Sequence, residues 1–215
     1  MRAALDEAIG TALLLAAVVG SGIMGERLAG GNVAIALLAN SLATGLALVA
    51  LIVAFSERSG AHFNPVLTLA LAARRGFPWR KVPVYLVAQF AGALLGVIAA
   101  HAMFDLALLQ VSPNVRTGPG QWWSEVVATF GLVVVVLACA KRPPWSAPAA
   151  VGAYIAAAYW FTASTSFANP AVTLARGFTA TFSGIQPEGI PGFIAAQLVG
   201  AVLALGFMAS PAKLS

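Results

Sequence analysis

The stretches Ser59-Gly60-Ala61-His62-Phe63-Asn64-Pro65-Val66-Leu67-Thr68 and Ser166-Phe167-Ala168-Asn169-Pro170-Ala171-Val172-Thr173 repeat one pattern within a chain of 215 residues. Each sets an Asn–Pro pair at the head of a short apolar segment. Asn is a favoured helix N-cap and Pro a favoured first helical residue, because Pro has no N–H to leave unsatisfied. One such pair is simply a helix start. Two, in equivalent places of a chain this apolar, predict two short helices that meet inside a bilayer. From Asn64 to about Arg74 a helix rises only ~15 Å, half of the ~30 Å of a hydrocarbon core, so the segment dips in and turns back. Irregular backbone at membrane depth survives only where it is buried in protein or lines an aqueous cavity. The leaders Ser59–Phe63 and Ser164–Ala168 are therefore expected to face a lumen.

The rest of the chain is built for lipid. Sixty per cent of the residues are hydrophobic and 9% charged, with a mean hydropathy of +0.89, too little polar surface to cover a soluble globule. Six apolar runs are long enough to span, at Leu5–Gly25, Val33–Phe55, Val82–Phe104, Trp123–Ala140, Ala147–Ala163 and Pro191–Ala209. They are continuous rather than alternating, which favours helices over barrel strands. Gly25-Glu26-Arg27-Leu28 offers no small-x-small cleavage site, so the first run is read as a span and not as a leader.

Six spans put both termini on one side, together with Arg2, Arg58, Arg74, Arg75, Arg80, Lys81, Lys141, Arg142 and Lys213, and leave Arg27, Arg116 and Arg176 opposite. Nine cations against three is the positive-inside bias and makes the first side cytoplasmic. Topology thus accounts for the net charge of +5, and no nucleic-acid partner is expected. The lone Cys139 has no intrachain disulfide partner and reads as packing.

The two halves repeat each other. Glu7-x-x-Gly10-Thr11 returns as Glu125-x-x-x-Thr129, Phe63-Asn64-Pro65 as Ala168-Asn169-Pro170, and Gln89-Phe90-Ala91-Gly92-Ala93 as Gln197-Leu198-Val199-Gly200-Ala201, in the same order. Three spans per half turn the second half upside down. A single domain over 1–215 is expected, with inverted repeats of about 1–104 and 121–211 and a functional site at the midplane where they meet. With the Asn side-chain oxygen capping its own helix, the NH2 groups of Asn64 and Asn169 remain as donors to the lumen. Both helix N-termini would aim there, each with about +0.5 of a charge, an arrangement that accepts neutral hydroxylated molecules and opposes cations.

Among the supporting residues, Glu7 and Glu125 lie early in apolar spans. Their recurrence alongside Gln89 and Gln197 reads as buried braces for the re-entrant backbone, against the alternative of a proton relay. His62 is a brace or an inner-side lining residue, with pH gating as the alternative. His101 is a polar span terminus. Gly92-x-x-x-Gly96 and Gly200-x-x-x-Ala204 permit close helix crossing.

Taken together, the six spans, the repeat, Glu7-x-x-Gly10-Thr11, Gly60-Ala61-His62-x-Asn64-Pro65 and Asn169-Pro170-Ala171 resemble the major intrinsic protein family of aquaporins and glycerol facilitators. The resemblance covers essentially the whole chain. It implies an all-helical integral membrane fold of six spans and two re-entrant half-helices, passive passage of small uncharged solutes, a homotetramer with one pore per subunit, and no cofactor, metal or catalytic residue. Its pore motifs map to Asn64, Pro65, Val66, Asn169, Pro170 and Ala171. The chain departs from the family pattern at Val172, where the family usually carries Arg directly after the second motif, and at Val66, where Ala is usual. Carried over without gaps, the remaining positions of the family's selectivity ring fall on Thr44, Ala157 and Ser166. A ring of Thr44, Ala157, Ser166 and Val172 lacks a guanidinium and a bulky aromatic, which predicts a wide pore. Arg176, one turn beyond Val172, either reaches the outer vestibule or snorkels to the interface.

Gly20-Ser21-Gly22-Ile23-Met24, Arg116-Thr117-Gly118-Pro119-Gly120-Gln121-Trp122 and Trp160-Phe161-Thr162-Ala163-Ser164-Thr165-Ser166 resemble the bacterial branch associated with arsenic-resistance operons. That resemblance implies metalloid hydroxides such as arsenous acid, with methylated arsenicals, as cargo beside glycerol and water. A water-selective pore is the alternative within the family. Outside it stands a coupled transporter, which would need a titratable or cation-binding cluster at the midplane. A membrane enzyme would need a nucleophile–base pair or metal ligands, and neither is legible.

Overall fold

The computed structural model describes residues 1–140 and 142–209 and is helical throughout that range, without strands. Lys141, Lys213 and the end of the second repeat at 211 lie outside the described residues. The order is α1 (Arg2–Leu28), α2 (Val33–Ser59), α3 (Pro65–Ala73), α4 (Val82–Met103), α5 (Pro119–Cys139), α6 (Ser146–Phe161), α7 (Pro170–Ala175) and α8 (Ile190–Ala209). Five of these, with the 3-10 turns that precede α4 and α8, are long and apolar enough to cross a membrane. The sixth span is α6, which at 16 residues rises ~24 Å.

Local chemistry sets the boundaries. Asn32 caps α2 by accepting from the N–H groups of Ala34 and Ile35 at 3.0 and 3.3 Å, and Gly60 stops it in the left-handed region at φ 90°. Asn64 and Asn169 cap α3 and α7, with Pro65 and Pro170 as the first helical residues.

Small residues bring the spans together. A Cβ on Gly92 or Gly96 would run into the backbone carbonyls of Ala8 or Ala12 on α1, and one on Gly200 into that of Val126 on α5. A further crossing joins the halves: Gly45 of α2 and Gly152 of α6 face each other backbone to backbone. Such approaches gain dispersion contact and weak backbone polar contacts where lipid supplies no hydrophobic drive. Between the spans, α3 and α7 pack into the centre, with Val66, Phe63, Ala168 and Ala171 all fully or nearly fully buried. Outward-facing Leu, Val and Phe side chains such as Leu46, Val53, Val87 and Val202 remain exposed, as a lipid-facing surface requires.

Candidate functional site

The two Asn–Pro pairs meet. Asn64 Oδ1 accepts from its own helix at Val66 N (2.9 Å), and Asn64 Nδ2 donates across to the carbonyl of Ala168 at 2.8 Å. Asn169 does the reciprocal thing: Oδ1 accepts from Ala171 N and Val172 N, and Nδ2 donates to the carbonyl of Phe63 at 2.8 Å. Each carboxamide thus spends its acceptor on its helix and one N–H on the opposite half. One N–H of each remains for the cavity that both side chains line.

The leaders are held in a costly backbone shape. Ala61, Phe63, Thr165, Ser166 and Ala168 have φ between 46 and 60°, in the left-handed region that costs a non-glycine residue about 1–2 kcal/mol. What offsets the strain is a carboxylate in each half. Glu7, fully buried, accepts from Ser59 Oγ, His62 N, Phe63 N and Gln89 Nε2 at 2.7–2.9 Å. Glu125 accepts from Ser164 Oγ, Phe167 N, Ala168 N and Gln197 Nε2 at 2.6–2.9 Å. Gln89 and Gln197 also donate to Thr68 and Thr173, whose hydroxyls donate to the carbonyls of Asn64 and Asn169. Every oxygen of both carboxylates is engaged in holding backbone. The four residues Glu7, Glu125, Gln89 and Gln197 have the geometry of braces.

The cavity measures about 110 Å³ and has a mixed lining. Aliphatic side chains come from Leu14 and Val18 of α1, Leu48 and Ile52 of α2, Leu132 and Val136 of α5, and Val151 and Ile155 of α6. Polar groups come from the 60–64 and 166–169 leaders with His62, Asn64, Ser166 and Asn169, with Thr44 and Tyr159 paired towards one end and Arg176 over Phe167. Its lining on α6 runs Ala147, Val151, Ile155, Tyr159, one residue per turn over ~18 Å. At the other end, the His62 ring meets Phe77 and Tyr85 at 4.9 and 5.4 Å between centroids, and its Nδ1 lies 3.1 Å from Thr68 Oγ1.

Thr44, Ser166 and Val172 line the cavity, as does Arg176, while Val66, Pro65, Pro170 and Ala171 are buried. Ala157 does not. It lies on the exposed face of α6, because two residues along a helix turn the side chain by about 200°. The α6 residue that reaches the cavity at that end is Tyr159, whose hydroxyl sits 3.3 Å from Thr44 Oγ1. With Tyr159 rather than Ala157 in the lining, the expected lack of a bulky aromatic beside Thr44 is corrected, and Phe167 and Arg176 also line the cavity. Arg176 is 2% exposed, so it is no interfacial snorkel. His101 is likewise more than a span terminus: fully buried, it joins Leu108 O and Thr179 Oγ1 at 3.0 and 2.8 Å.

Sequence reading passed over Ser59, Ser164, Thr68 and Thr173, although their common spacing of 105 residues, the same as between Asn64 and Asn169, signals the pairing. Phe167 shares that spacing with His62, whereas Tyr159 carries no such signal. Among the described residues no group of His, Cys, Asp and Glu could hold a metal ion.

Comparison with known proteins gives consistent neighbours. Residues 1–161 match the family described as major intrinsic protein. The chain is 55% identical over 207 residues to aquaglyceroporin AqpS of Rhizobium meliloti, covering 96% of this chain and 88% of that one. It is 36% identical over 144 residues to aquaporin NIP2-1 of Oryza sativa subsp. japonica, covering 65% of this chain and 46% of that one. The X-ray structure of the aquaglyceroporin from Plasmodium falciparum superposes with a TM-score of 0.75 at 21% identity, over 96% of this chain and 94% of that one, a likeness of fold.

Proposed function

The chain belongs to the major intrinsic protein family, and we propose that its cavity conducts glycerol and metalloid hydroxides, arsenous acid first among them, together with water. Membership makes it a multi-pass membrane channel and not an enzyme. The finer reading rests on one observation: the lining combines aliphatic side chains of the spans with the polar groups of the leaders. A molecule with hydroxyls on one side and carbon or a heavy central atom on the other keeps its hydrogen bonds while desolvated, against Asn64, Asn169, Ser166 and the Thr44–Tyr159 pair, and loses nothing against the aliphatic side chains. Val172, in the place directly after Asn169-Pro170-Ala171, leaves that level of the pore uncharged. The relative AqpS is named an aquaglyceroporin, and the resemblance of Gly20–Met24 and Arg116–Trp122 to the arsenic-operon branch supports the metalloids.

In the same reading the chain is a homotetramer of inverted repeats, about 1–104 and 121–211, in the inner membrane with both termini cytoplasmic. The positive-inside asymmetry supports the orientation. Water selectivity is the second reading, favoured by the bulk of Tyr159 and Phe167 in the lining.

Reconstituted protein in shrinking-vesicle and uptake assays should pass glycerol and arsenous acid as well as water. Val172→Arg should lower glycerol and arsenous-acid flux by about tenfold, the scale of steric discrimination in a small site, and lower water flux less. Wild type that passes water alone leaves the water-selective reading standing.

A further inference from the structure

Arg176 has an unusual setting. Its backbone N–H bonds the carbonyl of Val172, placing it one turn further along the helical segment, ~6 Å towards the outer end. The guanidinium is buried, lies flat on Phe167 at 3.4 Å from the ring centroid, and donates from Nε to the carbonyl of Ser183. Arg116, from the loop before α5, shares the same ring at 5.4 Å and donates to the carbonyls of Phe182 and Gly184 at 3.3 and 2.9 Å. Three successive carbonyls, Phe182, Ser183 and Gly184, thus hold two guanidiniums around one aromatic ring. Arg176 cannot swing aside. It has no carboxylate partner either, for the ion pair among the described residues is Arg58 with Asp6 at the other end of the spans. Its Nη1 has no hydrogen-bond partner, while the side chain lines the cavity.

A fixed cation in the lining with no carboxylate partner opposes any cation that passes. Val172, one turn inward, carries no charge and acts only through its bulk.

We propose that this pore separates two selections that need not share a level: size at Val172 with Ser166, and charge at Arg176, held by Phe167 and the Ser183 carbonyl. The inference rests on the channel reading above. Here the guanidinium is a specificity-determining group that acts through its charge, and the reason a pore with an apolar residue at Val172 stays closed to cations.

The test uses full-length protein in liposomes, with potassium conductance read by a potential-sensitive dye and glycerol flux by light scattering. Wild type should pass glycerol and no potassium. Arg176→Gln should raise potassium conductance by about tenfold or more, as loss of one close fixed charge implies, with glycerol flux still measurable as the sign of a formed pore. Arg176→Lys should keep potassium out. The double variant Val172→Arg with Arg176→Gln, which moves the charge inward one turn, should restore cation exclusion and lower glycerol flux. A potassium-tight Arg176→Gln pore that still passes glycerol overturns the proposal, as does wild type that itself leaks potassium. Should Arg176→Gln fail to insert, Arg176→Lys decides, and a potassium leak there overturns the proposal too. Wild type without glycerol flux sinks the solute reading instead, which keeps the two failures apart.

Discussion

Glu7 and Glu125 show how one residue can carry a disproportionate share of a membrane fold. Each is a fully buried carboxylate whose two oxygens accept four hydrogen bonds, two of them from the N–H groups of a strained backbone. An ionised group in an apolar interior is tolerable only when so engaged. The donors also tell against a proton relay, since protonation would turn an accepting oxygen towards donors that have nowhere else to go. Glu125→Gln should therefore set its amide NH2 against the N–H groups of the Phe167–Ala168 backbone or the Gln197 side chain. Expected is a loss of about 3 kcal/mol, the scale of orphaning a buried charged partnership, seen as a lower unfolding midpoint in detergent and reduced solute flux. Glu57→Gln, at an exposed site, should stay within about 0.5 kcal/mol. His62 reads differently from its equivalent, Phe167, which the same spacing of 105 residues selects. Both donate a backbone N–H to a carboxylate, so neither ring is needed for the brace, and each is free for its own end of the cavity: His62 against Phe77 and Tyr85, Phe167 under two guanidiniums.

At the level of elements, the half-helices are unequal. α3 runs nine residues, whereas α7 runs six before tightening into a 3-10 turn at Arg176–Phe178. The tightening is what carries Arg176 to the Ser183 carbonyl. Around them the spans depend on glycine where backbone meets backbone. Gly92→Val would drive a branched side chain into the carbonyl of Ala8; with no flexible side chain there to yield, the cost should reach the upper end of overpacking, about 3 kcal/mol. Thermal or detergent unfolding should show it, while Gly206→Val, where no neighbour stands within 4 Å of the site, should change little. The glycine pattern was legible in part: Gly92, Gly96 and Gly200 stand at crossing intervals, but the Gly45–Gly152 contact joins residues with no common motif.

For the whole molecule, the functional consequence is passivity. Among the described residues the cavity's polar groups are two carboxamides, hydroxyls, His62 and Arg176, with no carboxylate in the lining, and both central acids are committed to holding backbone. Glycerol flux in liposomes should accordingly be unchanged when sodium and proton gradients are collapsed with ionophores, and a strict requirement for either gradient would reassign the protein to coupled transport.

By itself the sequence determined the membrane class, the six spans and the re-entrant pair, because bilayer thickness and the capping chemistry of Asn–Pro act on short runs of neighbouring residues. Repetition in both halves also marked Glu7, Glu125, Gln89 and Gln197 as a recurring set, with braces expected ahead of a proton relay. The identity of the residues around the lumen was decided only in three dimensions. Ala157 and Tyr159 differ by two positions and by about 200° of helix rotation, so the packing of α6 against α2 chose between them. Arg176 came to line the cavity because the Ser183 carbonyl and the Phe167 ring lie against it, contacts set by how the loops fold back and not by any spacing along the chain. A lumen is a property of faces turned towards each other, and that rotation is fixed by tertiary packing.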